Sequence, residues 1–180
     1  MNGMPKSDIL YCCPKVVFLD LDGTIWSSLD ISSSIPPYTR LSDNAIKDSR
    51  GEVIVLRKGF RDFIKWLRNS LRHVRVYTLS WNIPWKALEA LKAFGIVDLF
   101  DGHCIEYHPH KELMMKKALV NEGLRIRPCE ILYIDDRTIH LSNIRELIGD
   151  VAFIHMGYDV KDFIELRKLL KSVVTKLCQI

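Results

Sequence analysis

A chain of 180 residues, 48% hydrophobic and 27% charged, has the make-up of one globular domain with a sizeable core. Its net charge of +4 tolerates an anionic partner but is too small to argue for nucleic acid, and no apolar run approaches the roughly 20 residues that cross a bilayer. Residues 1–14 lack the apolar centre of a signal peptide, and Cys12, Cys13, Cys104, Cys129 and Cys178 form no CxxC, so the expectation is a cytoplasmic protein with mostly reduced, structural thiols, disulfides being the alternative for a hyperthermophile source.

In chain order, the first element is a buried strand over 15–19 that delivers Asp20 and Asp22 into a Gly23-Thr24 turn. Strand side chains alternate faces, so the two carboxylates point the same way off the strand end. Carboxylates that close repel each other unless a cation or a shared proton compensates, which marks the pair as a metal-assisted nucleophile site. Residues 26–57 then break the pattern. They contain a Ser/Pro-rich run (Ser32-Ser33-Ser34-Ile35-Pro36-Pro37) and short strand candidates around Asp48-Ser49-Arg50-Gly51, predicting a small β-hairpin flap inserted in a single 1–180 domain.

A helix over 57–71 follows, with Phe60, Phe63, Ile64 and Leu67 at helical spacing and Lys58, Arg61, Lys65, Arg68 and Arg72 on a basic, solvated face. The second core strand, 74–79, ends at Ser80-Trp81-Asn82, and Pro84 opens a helix to Phe94 that Gly95 stops. A short strand at 103–106 leads to a helix over 111–122 ended by Gly123. A buried strand over 130–134 ends at Asp135-Asp136, and a helix at 139–148, a strand at 151–155 and a helix at 160–177 complete the chain. Strands alternating with helices predict an α/β fold with a parallel sheet and crossover helices.

Ligands of open α/β sheets bind at the carboxyl ends of the strands. Asp20 and Asp22, Ser80, Lys111 and Asp135-Asp136 all fall there, and together they fit phosphoryl transfer through a covalent aspartyl-phosphate. Asp20 is the candidate nucleophile, and Asp22 the candidate general acid and then base. Asp20, Asp22, Asp135 and Asp136 are the candidate ligands of Mg²⁺, a hard ion that prefers oxygen. Ser80, Trp81, Asn82 and the backbone N–H of Gly23 are the candidate phosphate ligands, and Lys111 supplies a fixed positive charge. His103, His108 and His110 lack metal-ligand spacing, Cys104 and Cys129 read as buried core thiols, and Trp26 and Trp81 either line a substrate mouth or support the flap.

The run from Val17 to Thr24, hhhDxDGT, is similar to motif I of the haloacid dehalogenase superfamily. Ser80 resembles its motif II, Lys111 its motif III, and Tyr133-Ile134-Asp135-Asp136 the DD form of its motif IV. Trp26, Pro36-Pro37-Tyr38, the run 48–56, Ser80-Trp81-Asn82 and Tyr107-x-x-x-Lys111 further resemble the magnesium-dependent phosphatase-1 family, with departures at Gly23 and Trp81. The resemblance implies a three-layer Rossmann-like core, a cap reduced to the hairpin, and an open site. It also implies Mg²⁺-dependent phosphomonoester hydrolysis through phospho-Asp20, on phosphotyrosine-like or sugar-phosphate substrates. A phosphorylated small molecule or phosphoprotein is the expected partner, and a monomer or weak dimer the expected state. The alternatives are a phosphotransferase or a specific sugar or nucleotide phosphatase on the same core, or a catalytically weak phosphoprotein- or nucleic-acid-binding module. Crowded carboxylates with no metal to serve would be destabilising, which argues against the last of these.

Overall fold

The computed structural model describes residues 10–121, 123 and 125–178; Glu122, the expected last residue of the third helix, and the first nine residues of the stretch read for a leader lie outside them. Strand β1 (Val16–Leu19) is followed by β2 (Thr39–Ser42), β3 (Ala45–Lys47) and β4 (Val53–Val55), then by α1 (Phe60–Ser70), β5 (Arg75–Trp81) and α2 (Pro84–Phe94). The chain continues through β6 (Gly102–Glu106), α3 (Lys111–Asn121), β7 (Ile131–Asp135), α4 (Leu141–Leu147), β8 (Ala152–His155) and α5 (Phe163–Leu177). Strands β6-β5-β1-β7-β8 form one parallel sheet in that order.

Central placement of β1 follows from its sequence. Val16, Val17, Phe18 and Leu19 are all buried, and a strand covered on both faces by helices has no use for a polar side. On one face Phe60, Phe63 and Leu67 of α1 pack with Ala87, Leu91 and Phe94 of α2 and Phe163, Leu166 and Leu170 of α5. On the other face Met114, Met115 and Ala118 of α3 and Ile144 of α4 meet Phe18, Leu79 and Tyr133. The expected three-layer α/β architecture is therefore present, and α2 ends where predicted, at Gly95 with φ 66°.

The flap departs from the expected hairpin by one strand: β2, β3 and β4 make a three-stranded antiparallel sheet. All four residues of β2 are exposed, so it carries no apolar alternation to announce it; only Ile46 and Ile54 are buried among the flap strands. Trp26 anchors the insertion, fully buried and stacked on Phe94 at 6.0 Å. Lys86 Nζ donates to the carbonyls of Ser32 and Ser34 at 2.5 and 2.8 Å and ties the flap to α2. Of the basic residues on the α1 stripe, Lys58, Lys65 and Arg72 are exposed as expected, whereas two others differ. Arg61 donates to the carbonyls of Asp43 and Phe94, and Arg68 to those of Val74 and Leu99 while pairing with Asp101. They brace loops instead of forming a solvated face.

The thiol expectation is overturned. Cys12 is bonded to Cys129 and Cys13 to Cys178, across sequence separations of 117 and 165, with Cα atoms 5.4 and 5.1 Å apart. Such separations are invisible to spacing rules. Disulfides persist in oxidising surroundings, so the thiol argument for a cytoplasmic protein no longer applies. In the chain-entropy account, each such long loop removes about 4–5 kcal/mol worth of freedom from the unfolded chain. Cys104 stays free, and burial pushes its thiol up to about 11, which keeps it protonated and inert. Among the described residues, no helix is long and apolar enough to cross a membrane.

Candidate active site

The ends of β1, β5 and β7 and the start of α3 converge on a cavity of about 330 Å³ whose wall includes Asp20, Asp22, Ser80, Lys111, Asp135 and Asp136. Every strand-end feature singled out in the sequence is thus brought to one place. Lys111, the first residue of α3, is 3% exposed, and its Nζ lies 2.6 Å from both Asp20 Oδ1 and Asp135 Oδ2. Burial works against the ammonium, but the two carboxylates outweigh it and hold the lysine pKa above its ordinary value.

Asp135 is further held by the Tyr133 hydroxyl and by the backbone N–H of Arg137 at 2.8 Å. Burial first, then the surrounding carboxylates, raise the Tyr133 pKa far enough that its hydroxyl remains a donor. For Asp20, burial pushes the pKa above the usual carboxylate range, Lys111 opposes this, and repulsion from Asp135 and Asp22 adds to it. The Thr24 hydroxyl donates to Asp20 Oδ2 at 3.3 Å and accepts the Asp136 N–H at 3.0 Å, linking the two strand ends.

Carboxylate oxygens of Asp20, Asp135 and Asp136 lie within 4.8 Å of one another, the one group of three or more potential metal ligands among the described residues. Three carboxylates face a single ammonium, and the Asp136 pKa is raised by burial and by Asp135. An all-oxygen, charge-deficient pocket of this kind fits a hard divalent cation such as Mg²⁺.

Asp22 is not in that group. Its Oδ1 accepts the Trp26 indole N–H at 2.6 Å and the Ile31 N–H at 3.0 Å, and its Oδ2 accepts from Asn82 Nδ2 at 2.7 Å. It still lines the cavity, and burial pushes its pKa up to about 6 in spite of those donors. Three donors therefore hold the carboxyl at the cavity wall.

Gly23 behaves differently from expectation. Its φ of 67° and an Asp136 carboxylate oxygen that a Cβ there would collide with make glycine necessary, yet its N–H donates to the Ser28 carbonyl at 2.7 Å instead of facing the cavity. Ser80 is buried at the cavity wall and Trp81 is 45% exposed there. Asn82 lines the same wall; its Nδ2 donates to Asp22 Oδ2, its Oδ1 accepts the Ile83 N–H and its own N–H donates to the Glu106 carbonyl, so it positions Asp22 and keeps its second amide hydrogen uncommitted among these bonds. Trp26 supports the flap; Trp81 lines the mouth.

Sequence reasoning missed four contributors. Arg57 donates to the carbonyls of Gly23 and Thr24 and to that of Lys161, clamping the turn from 33 and 34 residues away with no local signal. Tyr133 lies two residues before Asp135, and strand alternation would have placed it on the same face. Arg137 and His140 line the cavity beyond Asp136. His108 and His110 instead pair with Glu106 at 2.8 Å and Glu112 at 3.0 Å, consistent with the absence of metal-ligand spacing.

Residues 12–165 match the family described as acid phosphatase. No curated protein sequence matches the chain. Its fold is similar to the N-terminal part of a Bacteroides fragilis protein that contains a phosphatase domain and is complexed with Mg, at 18% identity and a TM-score of 0.59. That alignment takes in 87% of this chain and 40% of the other, so the chain spans less than half of that neighbour's length. A haloacid dehalogenase-like hydrolase from Streptococcus pneumoniae aligns at 15% identity and a TM-score of 0.60, covering 88% of this chain and 99% of that one. A superfamily hydrolase from Ehrlichia chaffeensis aligns at 12% identity and a TM-score of 0.62, covering 91% and 98%. At such identities the likeness establishes the haloacid dehalogenase fold, and the family match, over 12–165, spans most of the chain. Neither reaches as far as the magnesium-dependent phosphatase-1 family.

Proposed function

The chain belongs to the acid phosphatase family, and from that premise we propose that it is a Mg²⁺-dependent phosphomonoester hydrolase working through a phosphoenzyme on Asp20. The observation that carries this reading is the Asp20–Lys111–Asp135 arrangement, in which a buried carboxylate at a strand end is oriented by an ammonium 2.6 Å away. An Asp20 oxygen attacks phosphorus, the ester P–O bond breaks, and Asp22 gives its proton to the leaving alkoxide. Asp22 then takes a proton from water, whose oxygen attacks the phosphoryl group; phosphate leaves and Asp20 is restored. Lys111 steadies the charge on Asp20 throughout, and Trp26, Ile31 and Asn82 keep Asp22 at the wall it must act from. Held by Asp20, Asp135 and Asp136, Mg²⁺ would neutralise phosphoryl oxygens and let a carboxylate approach an anion.

Exposed Leu29, Trp81 and Tyr107 form an apolar part of the rim, which supports aryl or sugar phosphates as substrates at a site without a large cap. The narrower resemblance to the magnesium-dependent phosphatase-1 family agrees with that open mouth.

Removal of metal tests the reading. The chelated protein is expected to lose turnover of p-nitrophenyl phosphate, and added Mg²⁺ to restore it. With no substrate present, Mg²⁺ should also raise the melting temperature, because the ion binds only the folded site. Undiminished turnover in chelator with no thermal shift would rule the ion out.

The role of Asp22 predicts a pH effect with a definite sign. Its carboxyl, raised to about 6, is loaded with a proton below that pH and loses it above. Alkyl phosphates need that proton because the leaving alkoxide is strongly basic, whereas p-nitrophenolate leaves without it. The ratio of kcat/KM for an alkyl phosphate to that for p-nitrophenyl phosphate should fall about tenfold per pH unit above roughly pH 6. A ratio that stays level to pH 9 would remove Asp22 from the acid role.

A further inference from the structure

Resting on the phosphatase reading, we propose that Arg137 forms a second anion subsite at the cavity mouth, selecting phosphate esters whose leaving group carries a carboxylate. The cavity wall holds five carboxylates, Asp20, Asp22, Asp30, Asp135 and Asp136, against two permanent cations, Lys111 and Arg137. Lys111 is committed to Asp20 and Asp135. Arg137 is not committed. Its side chain is exposed, and among the described residues its guanidinium has neither an ion pair nor a hydrogen bond, even though Asp136 is its neighbour in sequence. Only its backbone is fixed, by the N–H donated to Asp135 Oδ1 at 2.8 Å.

The contrast with other arginines of the fold is informative. Arg57, Arg61 and Arg68 each spend their guanidinium on backbone carbonyls and brace the fold. Arg137 does no such work, yet it is attached to the residue beside the phosphoryl-transfer centre. Leu29, Trp81 and Tyr107 line the same cavity and are exposed by 68%, 45% and 73%. A substrate seated with its phosphoryl group at Asp20 would lay a flat or apolar body against these side chains and bring its far end to the rim, where Arg137 is. A carboxylate there matches the planar guanidinium fork bidentately. A second phosphate suits the subsite less well, since its higher charge would draw it to the metal-binding carboxylates' ion in competition with the reacting group.

Two esters of the same size test this: 4-carboxyphenyl phosphate and its 4-carboxamide analogue. The Mg²⁺-loaded protein is expected to favour the acid about tenfold in kcat/KM, mainly through KM, because a charge-assisted fork replaces a neutral contact. Arg137→Gln should bring that ratio to about one, and Arg137→Lys should keep part of it. The preference should also shrink as salt is raised. A wild-type ratio near one overturns the inference. So does an unchanged ratio in Arg137→Gln, including the case where both esters slow in parallel, since Arg137 would then serve the transferred phosphoryl group itself. If the unaltered protein hydrolyses neither ester, the phosphatase reading fails and this inference with it, an outcome distinct from hydrolysis without preference.

Discussion

Asp20→Asn is expected to turn over p-nitrophenyl phosphate at least about 10³-fold more slowly than the unaltered chain, with little change in KM. The amide has the shape of the carboxylate but cannot attack phosphorus. The fold should survive the change, because a negative charge is removed from a pocket where three carboxylates share one ammonium. Stability should even rise, with a particular dependence on pH. Burial raises the folded pKa of Asp20 above its unfolded value, so ionised Asp20 costs stability, and the cost sets in as pH climbs past the ordinary carboxylate range. Thermal unfolding without metal should therefore give matching melting temperatures for the two proteins in acid and a higher one for Asp20→Asn near neutrality. Equal turnover by the two proteins would exclude a phosphoenzyme on Asp20.

Lys111→Met should cost both stability and activity. Among the described residues it deletes the only ammonium touching Asp20 and Asp135, each of them nearly inaccessible to water, and leaves the two carboxylates facing each other without it. Removing one partner from such a buried set costs about 3–5 kcal/mol. Turnover should fall about 10²–10³-fold, the usual loss when a charge-stabilising group is taken from a preorganised site. Urea unfolding in chelator reads the first effect, and repeating it in Mg²⁺ separates the causes: a divalent ion among the same carboxylates should return part of the loss. A variant as stable as the parent in chelator would mean that Lys111 is not the counter-charge of the pair.

The parts of the site that the sequence made legible are those governed by local rules. Alternation along β1 and the strand-end rule for α/β sheets placed Asp20, Asp22, Ser80, Lys111 and the Asp135-Asp136 pair at one cavity before any contact was known. Alternation along β7 would have added Tyr133 as well. What stayed hidden depends on partners brought together only by folding. The Asp22 carboxylate is held by donors 4, 9 and 60 residues away, and nothing in an Asp-x-Asp spacing foretells them. Gly23 was correctly read as a forced turn, but the destination of its N–H depended on where Ser28 would fall. Arg61 and Arg68 resembled a solvated stripe because helical spacing reports which way a side chain leaves the helix, not which loop carbonyl waits there. The flap strand β2, wholly exposed, carries no pattern at all.

The Cys13–Cys178 bond joins residues 165 positions apart and so makes a covalent ring of nearly the whole domain. A mechanical load applied outside those two residues passes through the sulfur bridge and never reaches the sheet. The roughly 550 Å of chain enclosed between them stays slack until the bridge is cut. Stretched from points outside the two cysteines, the chain is therefore as strong as a single covalent bond, and the candidate site inside the ring is shielded from any tension on the chain that carries it.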